Sequence, residues 1–161
     1  MSSYHSLSLA FRCHGLVGAD LAAAEFVMGR RSDPPEPLLL PQALFFREVT
    51  PPHRFCLPGH DNTEAYCHVS MTDLAGYAGN GFGHRFVLML EGLRLPDLFQ
   101  ALAFANWLAR FVEDEGPIGT SFSPDMPDQP ARIYFVRQGQ LRYGRAEGLE
   151  QPVFSPTEAQ R

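Results

Sequence analysis

Pro96 to Glu115, PDLFQALAFANWLARFVEDE, is the stretch that most restricts how this chain can fold. At about 100° per residue, Leu98, Ala101, Leu102, Phe104, Ala105, Leu108, Ala109 and Val112 fill an arc of roughly 160°. Gln100, Asn106, Arg110, Glu113 and Asp114 lie opposite. A helix with so wide an apolar stripe must rest on an equally wide apolar surface. Asp97 with Gln100 three residues on suits an N-terminal capping pair, and Gly116-Pro117 supplies a stop. One dominant long helix is therefore expected over about 97–115.

Short strands supply the surface it needs. In 4–11, YHSLSLAF, Leu7, Leu9 and Phe11 alternate with polar or small residues, the period of a half-buried strand. In 64–71, EAYCHVSM, Ala65, Cys67, Val69 and Met71 form one set and Tyr66, His68 and Ser70 the other. The run 84–93, HRFVLMLEGL, is apolar at nearly every position from Phe86 to Leu90, as expected of a strand buried on both faces. Segment 43–49 also has strand character, and 19–28 suits a short helix, with a strand through 25–28 as the alternative. Prolines make 30–41 a loop, and three more between Ile118 and Pro130 make that segment a surface loop. Segments 132–137 and 141–145 flank Gln138-Gly139-Gln140 as a C-terminal β-hairpin. The expected fold is α+β: a mainly antiparallel sheet with the long helix packed on one face. Residues 1–150 form a single domain and 151–161 a polar tail.

Composition narrows the chemistry. With 161 residues, 45% of them hydrophobic, the chain is long enough for its own core. Its net charge of −5 disfavours direct binding to nucleic acid or to an anionic membrane surface and favours a basic partner. All 13 cationic residues are arginine, which excludes a phosphate-loop lysine, a Schiff-base lysine and a Ser-Lys pair. Three cysteines without dense spacing fit a reducing compartment, no basic segment leads into a long apolar run near the N-terminus, and no stretch is apolar for ~18 residues. A soluble cytoplasmic protein is expected, monomeric or a small homo-oligomer.

His53, Cys56, His60 and Cys67, with His68 beside them, are the densest set of soft donors and make zinc the alternative to having no cofactor. They lack a paired C-x-x-C, and neighbours on one strand face opposite ways. The glycine-rich 76–83 run leads into a strand, so it offers no helix N-terminus to a phosphate. No G-x-S-x-G elbow occurs, and Cys13-His14 and Cys67-His68 are neighbours along the chain only. Glu113, Asp114 and Glu115 at the expected helix end oppose its dipole, and Asp125 and Asp128 follow in the next loop. With Trp107, the only tryptophan, these five acids make a candidate partner-binding surface.

An acidic single domain with no assembled catalytic group and an acidic-aromatic surface resembles the small bacterial immunity proteins that neutralise a cognate toxin, including those paired with type VI secretion effectors. The likeness implies a tight one-to-one complex in the producing cell's cytoplasm, with the inhibitor covering the active site or substrate channel of its toxin. A nuclease toxin, basic where it holds phosphate, would suit an acidic inhibitor. The alternatives are a small metal- or ligand-binding protein or enzyme built on 53–68, and a self-associating structural or regulatory subunit.

Overall fold

The computed structural model describes residues 4–31, 47–50, 54–56, 66–74, 83–113 and 115–145. In β1 (His5–His14), Leu7, Leu9, Phe11 and Cys13 are buried while Ser8, Ala10 and Arg12 are exposed. Helix α1 (Gly18–Val27) buries Ala23, Ala24 and Val27. Gly29, at φ 74°, closes it in the left-handed turn that lets Arg30 N–H return to Glu25 O at 2.8 Å. Strands β2 (Arg47–Thr50) and β3 (Arg54–Cys56) form a separate antiparallel ribbon.

Strand β4 (Tyr66–Leu74) pairs with β5 (Gly83–Leu93), which runs into α2 (Leu95–Ala109); β6 (Gly116–Phe122), β7 (Arg132–Arg137) and β8 (Gln140–Arg145) follow. The sheet order is β4-β5-β1-β6-β7-β8, and every neighbouring pair is antiparallel. Its inner face carries Leu7, Leu9 and Phe11 of β1 beside Phe86, Leu88 and Leu90 of β5, in one buried cluster with residues of both helices. Phe86 joins the layers: it stacks on Phe11 at 5.6 Å and meets Phe104 of α2 edge-on at 6.3 Å. Burying a side chain of that size stabilises the fold by roughly 1.5–3 kcal/mol.

The chain is α+β, but the expectation of one dominant helix over 97–115 is corrected: among the described residues the sheet dominates, and the helices are two and short. Helix α2 begins at Leu95, with Arg94 at its N-cap and Pro96 in the first turn, so Asp97 lies inside the helix and is buried. Its buried residues Leu98, Ala101, Phe104, Ala105, Leu108 and Ala109 belong to the expected arc. It stops at Ala109 because the next residues serve β1. His14 N–H bonds Phe111 O at 2.8 Å, and Val112 bridges to Cys13.

Strand β5 is buried on one face only, with Arg85, Met89 and Glu91 exposed, because both helices lie on the same side of the sheet. The segment expected to be a loop from Ile118 holds β6, an inner strand between β1 and β7. Pro117 stands at its start, before the β1 pairing of Leu9 with Gly119 begins. Gly119 is required by crowding, since a Cβ there would strike Ser8 O and lie 2.8 Å from Leu9 Cα.

Gly119→Ala is expected to destabilise the fold by about 2–3 kcal/mol through forced strand separation. Gly144→Ala, whose Cβ would meet nothing closer than Phe135 Cε1 at 4.0 Å, should change stability little. Urea unfolding of the two variants checks the contrast.

Candidate functional site

Two hollows open at the end of the sheet where β1 finishes and β5 begins. The first follows from the register. Cys13, His84 and Asp73 are successive partners across β1, β5 and β4, so they share the inner face in one transverse row. His84 is buried, its Nε2 stands 3.5 Å from Asp73 Oδ1, and its Nδ1 has no hydrogen-bond partner among the described residues. Arg30 Nη1 reaches Asp73 Oδ1 and Met71 O, each at 3.3 Å. With Leu16, Val17, Gly18, Leu21 and Glu25, His84, Arg30 and Asp73 line a hollow of about 450 Å³.

Electrostatics keep the His84 imidazole neutral. Burial lowers its pKa most; Asp73 pulls the other way, Arg30 lowers it and Glu25 raises it. The Arg30–Asp73 pair is largely solvated and so contributes little, on the order of 0–1 kcal/mol. Cys13 completes the row without nucleophilic character. Its side chain is buried, Sγ faces Leu108 O at 3.9 Å, and burial pushes the thiol up to about 12.

The second hollow arises where β1 changes neighbours. Ser6–Leu9 pair with β6 and Cys13 bridges to Val112, while the chain between Val112 and Gly119 bows away from Ala10–Arg12. The gap of about 390 Å³ is lined by Ala10, Phe11, Arg12, Arg85, Val112, Pro117 and Ile118. Arg12 and Arg85 are cross-strand partners, both exposed, a like-charge placement that is unfavourable unless an anion lies near.

The structure separates the acids that the sequence groups together. Glu113 and Glu115 precede β6, whereas Asp125 and Asp128 follow it, a strand length of roughly 20 Å away. Glu113 and Asp128 are exposed. Glu115 accepts the Gln138 N–H at 2.8 Å in the hairpin turn, and Asp125 accepts the Tyr4 N–H at 2.9 Å. Asp114 lies outside the described residues. Since α2 ends at Ala109, these acids do not sit on its last turn, and the cation Arg110 occupies the C-cap. Trp107 is half-buried between Phe104 and Phe111, and Arg110 lies 5.0 Å from its ring centre. The same guanidinium reaches Asp20 at 3.4 Å, so the tryptophan packs under an arginine.

His53 and His60 of the expected donor set lie outside the described residues, and Cys56 and Cys67 are placed by backbone alone, in β3 and β4. Among the described residues no group of three His, Cys, Asp or Glu could hold a metal ion. Nor is any described helix long and apolar enough to cross a membrane. Sequence reasoning missed His84, Asp73, Glu25 and Arg30. The available signal was parity, because the inward series Val69, Met71 ends on Asp73 and the series Leu88, Phe86 ends on His84.

No protein-family model, curated protein or solved structure matches the chain.

Because the folded His84 pKa lies below the ordinary value, its contribution to stability is complete above about pH 6.5. It is lost as pH falls through the lower folded value. Thermal unfolding between pH 7 and 5 should show this loss, and His84→Gln should flatten it. Cys13 should resist alkylation at pH 8 in the native state and react once the chain is unfolded.

Proposed function

We propose that this protein is a protein-binding inhibitor of the toxin-neutralising kind, and that it grips its partner with the sheet face turned away from the helices. What supports this is a transverse row on that face. His68, Met89, Ser8, Thr120, Ile133 and Gly144 are successive partners across all six strands, and none is Asp, Glu, Lys or Arg. Met89 is 47% exposed, and Phe122, two residues on from Thr120, is 50% exposed. Val87, Ile133 and Phe135 are half-buried on the same side. Charge sits at the margin, on Glu91, Arg85, Arg12, Arg137 and Arg142. A charge-poor centre inside a charged rim is the anatomy of a protein interface.

The two charge scales complement each other. At long range the net −5 would draw a basic partner, such as a nuclease with a phosphate-binding groove. At contact the rim arginines fit carboxylates that border such a groove. The complex would form one-to-one in the producing cell's cytoplasm and cover the toxin's active site.

Capture from an extract of the producing cell, comparing wild type with the Met89→Glu/Phe122→Glu double variant, tests the reading. The expected result is one captured protein whose growth inhibition wild type relieves. The double variant should bind it at least ~100-fold more weakly, the scale of losing buried anchors. Equal capture and neutralisation by the variant would overturn the assignment. So would light scattering showing a wild-type dimer that the variant dissolves, because a second copy would then own the face.

A further inference from the structure

The hollow at His84 calls for a ligand of its own, independent of the sheet face. Its charge is one-sided: among the described residues that line it, Glu25 and Asp73 face one cation, Arg30, while His84 is neutral. Asp73 meets Arg30 Nη1 and His84 Nε2 through the same oxygen, Oδ1, and the buried His84 Nδ1 has no hydrogen-bond partner among the described residues. The remaining wall is aliphatic, made of Leu16, Val17 and Leu21.

The start of α1 also borders the hollow, and a helix N-terminus favours anions. Asp20 already supplies a carboxylate to that first turn, held by Arg110 at 3.4 Å, and Glu25 lies farther along the same helix. We propose that this hollow binds a guanidinium or ammonium group carried on a short aliphatic stem. The head meets Glu25 and the second oxygen of Asp73, above the His84 floor, and the stem lies along Leu16, Val17 and Leu21. Such a group occurs on a free small molecule and on an arginine or lysine side chain of a partner.

Calorimetric titration of the full chain with n-butylguanidinium is the direct test, with butyrate and n-butanol as controls. One-to-one saturation by butylguanidinium, absent for both controls, is the expected result. Glu25→Gln keeps the side chain's size and removes its charge. Val17→Lys, at a position 64% exposed, places an ammonium and stem at the mouth of the hollow. Each should weaken binding roughly tenfold or more with the unfolding midpoint unchanged. No saturation by millimolar butylguanidinium, equal binding of butyrate, or undiminished binding by both variants would overturn the proposal. Nα-acetyl-arginine methylamide separates the sources within the supporting outcomes: tighter binding than butylguanidinium assigns the hollow to a partner's side chain, weaker binding to a free small molecule. Neither outcome bears on the sheet face, whose variants lie elsewhere.

Discussion

Contact between Phe86 and Phe104 is where the sheet meets α2, and one-sided burial follows from it. Phe11 stacks beneath Phe86, while Phe104 continues into Trp107 and Phe111, so an aromatic series runs from β1 through the core to the end of the helix. Because α1 and α2 both lie on that side, β1 and β5 need apolar residues only at alternate positions. The opposite positions are released for other uses, and the charge-poor row on the outer face is one of them. At the far end of this series Arg110 lies over Trp107 and Phe111 and ties them to Asp20, which fixes α2 against the start of α1.

The hollow beside Arg12 is a by-product of how β1 is served. Among the described strands it alone has a second edge completed by two different segments, Val112 at one end and β6 at the other. The short helix makes this possible, since a helix continuing to residue 115 would leave Phe111 and Val112 unable to meet Cys13 and His14. The bow between the two segments opens the gap beside Arg12. At the same end the β4–β5 pairing brings Asp73 under His84, and the Gly29 turn carries Arg30 back to them.

Much of this fold was legible in the sequence, and the illegible part has a physical cause. The apolar arc of α2 shows because its buried positions recur at helical spacing, and β1 shows because Leu7, Leu9 and Phe11 alternate. The helix end did not show, because Phe111 and Val112 extend the apolar pattern while their backbone joins β1. Strand β6 was hidden because GPIGTSF carries the composition of a turn; Gly119 is there for closeness to β1, and Ser121 is buried by bonding Tyr134 OH at 2.8 Å. The candidate site was least legible. His84 and Asp73 meet only through strand register, and Glu25 and Arg30 only through the turn after α1, whereas Glu113 and Asp128 are close in sequence but lie at opposite ends of β6.

The position of β1 also shapes how the chain is made. It leaves the ribosome before its partners, which begin at Gly83 and Gly116, so its row of leucines and phenylalanine waits for a matching edge until those segments emerge. Native sheet cannot close until the segment hardest to recognise, GPIGTSF, has emerged. Folding of this domain is thus a late event governed by distant encounters, and during translation β1 is the element most in need of shelter.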